Sequence, residues 1–311
     1  MSSFREIFPP STSSWTVNNM PDLTGRVYIV TGGNTGIGKE TVKALLQKGG
    51  KVYMASRSET RAQNAIADLE QATGRTAIFL KLDLADLASI RQAAEAFMLK
   101  ESQLNTLFNN AGIAWAPMDD LTAQGYDMAF GTNVLGHFYF TKLLLPVLFQ
   151  TYESNPSDKP RIVVTSAAMY KVFPKIDYAT LRDGEERRKL SLNSLYAQSK
   201  FGNILVANEF ARRYGDKIVT TSLHPGVFKS ELQRSVPWFL SHPPLTWLIK
   251  WSPLSMGGIT QLFAGTAPEA ASMNGKYLIP WAAEGRLTKE AADRQTAEEL
   301  WSWLEKQVTD A

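Results

Sequence analysis

The segment Arg26 to Thr31 is a short β-branched run that passes directly into Thr31-Gly32-Gly33-Asn34-Thr35-Gly36-Ile37-Gly38-Lys39-Glu40, and apolar residues then recur at helical spacing as far as Gln47. A strand entering a helix through glycines restricts the chain to a small set of α/β folds. Glycine lets the backbone come close to an anion, and the free amides at a helix start attract one. The spacing of Gly32, Gly36 and Gly38 is Thr-Gly-x-x-x-Gly-x-Gly rather than the common G-x-G-x-x-G. A plain strand-to-helix connection is the alternative for the turn alone, and the strand–turn–helix setting favours a dinucleotide pyrophosphate held around Gly32, Asn34, Thr35, Gly36, Ile37 and Gly38.

The same alternation continues downstream. Strands are expected at Arg26 to Thr31, Lys51 to Ser56, Thr76 to Asp83, Leu104 to Asn109, Arg161 to Ser166, Lys217 to Leu223 and Lys276 to Ile279. Helices are expected at Gly36 to Gln47, Glu59 to Thr73, Leu87 to Lys100, Leu121 to Phe149 and Leu195 to Arg213. The strands are rich in Val, Ile and Leu without strict alternation, as when helices cover both faces of a parallel sheet. The fold class is therefore α/β: a single doubly wound Rossmann-type domain with a parallel sheet of about seven strands. It spans residues 23–287, after a leader at 1–22 and before a C-terminal surface helix and tail at 288–311. The leader mixes polar residues with single apolar ones and reads as unstructured or draped over the surface.

Composition excludes several classes. With no cysteine there is no disulfide frame, thiol nucleophile or cysteine metal site, and no metal is expected. A net charge of +3 with dispersed Lys and Arg gives no basic stripe for nucleic acid. The first 22 residues lack the apolar run of a signal peptide or membrane span, which reads as a cytoplasmic protein.

Which dinucleotide is bound should be decided at the end of the second strand, where an acidic residue usually holds the adenosine ribose. This chain has Ser56 and Arg57 there, a hydroxyl and a guanidinium that suit a 2′-phosphate, so NADP(H) is favoured over NAD(H). The other reading of Arg57 is a solvated loop residue.

Tyr196 and Lys200 stand four residues apart at the start of a helical pattern and so share a face. A nearby ammonium favours the phenolate, which predicts that Tyr196 is drawn toward a working range as general acid or base. Tyr-x-x-x-Lys is common by chance. Here it follows a strand whose last residue, Ser166, would emerge at the carboxyl edge where such sheets bind ligands, able to hydrogen-bond a substrate oxygen.

Taken in order, these motifs resemble the short-chain dehydrogenase/reductase family over roughly Leu23 to Pro280. The resemblance implies that Asn133, Ser166, Tyr196 and Lys200 form a catalytic tetrad, with Asn133 helping to hold a water in a proton relay. It implies that Asn110, Ala111 and Gly112, in Asn109-Asn110-Ala111-Gly112, lie beside the cofactor, that Asp83 and Leu84 meet the adenine, and that Lys200 reaches the nicotinamide ribose. Pro225, Gly226, Val227 and Ser230 resemble the turn at the nicotinamide, with Ser230 where Thr is usual. Within the family the chain looks similar to retinol-dehydrogenase-like carbonyl reductases. The 30 positions from Ser166 to Tyr196 exceed the usual spacing, so retinoid activity does not follow.

The expected activity is interconversion of a lipophilic ketone or aldehyde and its alcohol. The segments 167–194 and 227–256 carry apolar residues such as Met169, Tyr170, Phe173, Phe228, Trp238 and Trp247, which would form a greasy pocket or a lid at about 227–256. A packed subcore or weak membrane-surface contact are the other readings of these segments. Double-bond reduction, epimerisation or a non-catalytic NADP(H)-binding regulatory role remain open for the chain as a whole. The family resemblance implies a homodimer through the helices at Leu121 to Phe149 and Leu195 to Arg213, and a monomer is equally compatible with the residues.

Overall fold

A computed structural model describes residue 6 and residues 9–228 and 252–309. Eight strands form one sheet in the order β3-β2-β1-β4-β5-β6-β7-β8. They are β1 Val27–Thr31, β2 Lys51–Ser56, β3 Ile78–Lys81, β4 Thr106–Asn109, β5 Arg161–Thr165, β6 Val219–Leu223, β7 Tyr277–Ile279 and β8 Ala283–Glu284. All neighbours pair in parallel except β8, which folds back antiparallel on β7 and brings the strand number to one more than expected. The strand order reverses between β1 and β4, so a crevice opens at the carboxyl ends of these two strands.

Local chemistry sets the helix limits. Helix α1 (Gly36–Gln47) starts in the glycine turn. Helix α2 (Glu59–Thr73) is capped by the Ser58 hydroxyl and stops at Gly74, whose φ of 69° is left-handed. Asp86 caps α3 (Leu87–Met98). The expected helix from Leu121 does not begin there: Leu121 and Tyr126 make isolated bridges to Asp127 and Arg182, and helix starts at Met128. It then widens into a π-helical stretch, Gly131–Gly136, before α4 (His137–Ser154). Helix α5 (Leu192–Tyr214) is capped by Ser191, and α6 (Ile259–Thr266) lies on the opposite face of the sheet.

Two terminal expectations are corrected. The last helix, α7 (Arg294–Val308), is a surface helix on one side only: Leu300, Trp301 and Leu304 enter the core, with Trp301 edge-on to Phe138 and Phe210. The leader is docked rather than draped. Trp15, Met20 and Leu23 are buried, and Trp15 meets Phe263 edge-on at 5.5 Å between ring centres. Farther forward, the buried Glu6 carboxylate accepts from the Tyr277 hydroxyl at 2.6 Å and pairs with Lys171, and Pro10 accepts from the Trp281 indole at 2.8 Å. Among the described residues no helix is long and apolar enough to cross a membrane.

Candidate active site

The glycine turn is shaped by contact rather than by flexibility. A Cβ on Gly38 would fall 2.2 Å from the Gly32 carbonyl oxygen, and one on Gly32 would meet Ala111 at 3.1 Å. Gly32 and Gly36 also have left-handed φ values of 66° and 55°. The turn is tied to the end of β4 by Thr31, whose hydroxyl accepts from the Asn110 and Ala111 amides at 2.9 Å, while the Asn110 side chain donates to the Thr31 carbonyl at 2.8 Å. The result is a bare backbone cradle at the start of α1, the geometry that receives a pyrophosphate.

At the end of β2, the Ser56 hydroxyl is buried without a hydrogen-bond partner among the described residues. Arg57 is exposed beside it, and the Lys81 ammonium donates to the Arg57 carbonyl at 2.7 Å. An orphan hydroxyl next to two cations suits a group rich in acceptor oxygens. Asp83 accepts from the Ala85 amide within its own turn at 3.0 Å, and Leu84, beside it, packs against Gly136. The adenosine end thus fits a nicotinamide dinucleotide.

The four residues of the expected tetrad converge where β4, β5, the π-helical stretch and α5 meet. Asn133 grips Ile113 by both main-chain groups, accepting from its amide at 2.8 Å and donating to its carbonyl at 2.9 Å, and also donates to Ser199 at 2.9 Å. A Cβ on Gly112 would lie 3.3 Å from the Lys200 ammonium and 3.4 Å from Asn133 Oδ1, so the segment after β4 touches both. Ser166 is buried and its hydroxyl donates to the Lys200 carbonyl at 2.7 Å, so bonding a substrate oxygen requires that hydroxyl to turn. The Lys200 ammonium donates to the Thr165 carbonyl at 3.0 Å and lies 5.8 Å from the centre of the Tyr196 ring.

The electrostatics correct one expectation. Burial lowers Lys200 to about 8, and burial raises the Tyr196 phenol instead of lowering it. Desolvation outweighs attraction because the ammonium points at a carbonyl and not at the phenol. Tyr196 is therefore a protonated group, prepared to donate.

The sequence pattern passed over several neighbours. His137 is fully buried, accepts from the Thr31 hydroxyl at 2.9 Å and meets the Asn133 carbonyl at 3.0 Å, and burial pulls it down to about 4. Since a carbonyl only accepts, Nδ1 carries the hydrogen and Nε2 accepts. His137 stands four residues after Asn133, a spacing that could have suggested the link. Trp115 was also missed. Its ring centre lies 5.5 Å from that of Tyr196 at 32°, its indole N–H donates to Asn193 at 2.7 Å, and its φ of 52° costs an L-residue about 1–2 kcal/mol.

On the substrate side the outcome is mixed. Pro225, Gly226 and Val227 follow β6 at the same edge, with Phe228 buried against Trp281. Ser230 and most of the expected 227–256 lid lie outside the described residues. Tyr170, expected among the pocket residues, is fully buried, with its ring edge-on to Tyr277 and its hydroxyl accepting from the Thr288 amide. The long 167–194 insertion is stapled by Arg187, also fully buried, which pairs with Asp127 at 3.0 Å and donates to the Met118 carbonyl at 2.6 Å.

Comparison with known proteins agrees with this geometry. A family model described as short chain dehydrogenase matches residues 26–175. The chain is 51% identical over 306 residues to a short-chain dehydrogenase/reductase of Armillaria gallica, covering 98% of this chain and 97% of that protein. Its fold is similar to that of an uncharacterized protein from Mycobacterium Paratuberculosis, with a TM-score of 0.73, 26% identity and coverage of 96% and 98%. It also matches the fold of Pseudomonas aeruginosa RhlG in an NADP active-site complex, with a TM-score of 0.65, 24% identity and coverage of 84% and 96%.

Proposed function

The chain belongs to the short-chain dehydrogenase/reductase family, and from that premise we propose that it is a cytoplasmic, NADP(H)-dependent reductase of lipophilic ketones or aldehydes. The observation that carries this reading is the buried, protonated Tyr196 with Lys200 one helical turn away, at the sheet edge where the glycine cradle also opens.

NADPH, when bound, supplies the hydride that goes to the carbonyl carbon. Tyr196 gives its phenolic proton to the carbonyl oxygen, which completes the alcohol. The Lys200 charge, about 8 in its titration, offsets the negative charge that this leaves on the phenol. Ser166, once its hydroxyl turns from the Lys200 carbonyl, donates to the same substrate oxygen and orients it. Asn133, by fixing Ile113, holds the Gly112 backbone in place against Lys200. The reverse sequence would oxidise an alcohol, with the Tyr196 phenolate taking the hydroxyl proton instead.

Preference for the phosphorylated cofactor is supported by the unpartnered Ser56 hydroxyl and the Arg57 and Lys81 cations. The lipophilic substrate class is supported by the apolar residues of the 167–194 insertion and the Phe228–Trp281 contact after β6.

The test is oxidation of NADPH and NADH by purified protein with ketones, aldehydes and quinones, followed by loss of absorbance and repeated with Tyr196→Phe. Turnover that prefers NADPH and falls at least about a hundredfold in Tyr196→Phe, with NADPH still bound, supports the reading. Tight NADPH binding without any turnover would shift it toward a regulatory role, and no binding would remove the cofactor assignment.

A further inference from the structure

Trp115 is held beside Tyr196 in a way that packing alone does not explain. It is one of two non-glycine residues with left-handed backbone among the described residues, the other being Ala282. The chain leading to it is clamped at Ile113 by Asn133, and the indole is tethered by Asn193, three residues before Tyr196 on α5. The indole and phenol rings lie 5.5 Å apart between centres and are tilted by 32° at the site edge. Trp281 and Trp301 are buried in the core, whereas Trp115 remains partly open to solvent. A strained backbone, a tether and a partly open aromatic face next to the proton donor are features of a binding wall.

We propose that Trp115 is a specificity-determining residue, and that the substrate carries a flat, unsaturated ring system that stacks on its indole while the carbonyl meets Tyr196. This rests on the reductase reading for the choice of ligand chemistry. It differs from a merely greasy pocket, which would treat a planar ring and its saturated counterpart alike.

The experiment compares 2-acetylnaphthalene with 2-acetyldecalin in wild type, Trp115→Phe and Trp115→Leu. It measures kcat/KM with NADPH, and calorimetric binding of each ketone to the NADP⁺-loaded protein. The expected result is a preference for the aromatic ketone of about three- to tenfold in binding, kept by Trp115→Phe and lost in Trp115→Leu, with NADPH affinity unchanged within about twofold. Equal binding of the two ketones by wild type, no binding of either, or an unchanged preference in Trp115→Leu overturns the proposal. Aromatic binding that depends on Trp115 without turnover upholds it while the reductase reading falls. If Trp115→Leu does not fold, Asn193→Ala takes its place: releasing the indole should reduce the aromatic preference by at least half, and an unchanged preference counts against the proposal.

Discussion

The Ser166 hydroxyl donates to the main-chain carbonyl of Lys200, and the Lys200 ammonium donates to the carbonyl of Thr165, the residue before Ser166. This reciprocal clasp fixes the end of β5 to the first half of α5 and leaves the ammonium without a carboxylate partner among the described residues. Burial then acts on Lys200 unopposed.

The first consequence is a pH profile. Lys200 loses its proton as pH rises through about 8, while the Tyr196 phenol, raised by burial, stays protonated across that range. Ketone reduction should show a kcat/KM that declines above about pH 8. A profile flat to about pH 10 would contradict the assignment of the lysine charge to catalysis.

Cofactor choice should depend on Arg57. Loss of a charge-assisted contact to a phosphate is worth about 1.5–3 kcal/mol. Arg57→Ala should therefore weaken NADPH binding about ten- to a hundredfold and leave NADH binding nearly unchanged, as read by cofactor fluorescence titration. Equal weakening of both would show that Arg57 acts on the fold or the adenine instead.

The Arg187–Asp127 pair should dominate the stability of the long insertion. Both side chains are buried, with Arg187 and Asp127 at 1% and 2% exposure, so removing the cation strands a carboxylate. Arg187→Ala should cost about 3–5 kcal/mol in urea unfolding. A loss below about 1 kcal/mol would mean that the carboxylate finds water or another partner.

Acid should destabilise the protein before its carboxylates titrate. Burial pulls His137 and His224 down to about 4, whereas in the unfolded chain each titrates near ~6.5. The unfolded state binds more protons between these values, so this contribution is complete above about pH 6.5 and is lost as pH falls toward 4. By about pH 5 the loss is about 2 kcal/mol per histidine. Urea midpoints at about pH 7.5 and pH 5 should differ accordingly, and His137→Phe should remove about half of the difference. An identical pH effect in that variant would refute the role of His137.

What was readable in the sequence had local causes. The limits of α1 and α2 match expectation because a glycine turn starts one, and Ser58 and Gly74 bound the other. The glycine cradle and the Tyr196–Lys200 spacing are likewise written within a few residues. The failures had distant causes. Apolar periodicity carried the expected helix back to Leu121, but Asp127 answers to Arg187, 60 positions away, and Tyr126 bridges to Arg182. Trp115 gains its place from Asn193, 78 positions on. The phenol of Tyr196 was misjudged because helical spacing gives proximity to Lys200 but not the direction of the ammonium, which Thr165 decides.

The docking of the leader also has a temporal meaning. Glu6 and Tyr277 are separated by 271 positions, as are Pro10 and Trp281, so Glu6 and Pro10 are synthesised long before the partners that hold them. During synthesis at about 5–20 residues per second, Glu6 must wait many seconds, its carboxylate in water, until β7 exists to receive it. Closure of that edge of the molecule must follow the synthesis of β7, and a nascent chain stalled before Tyr277 would carry Glu6 unfastened.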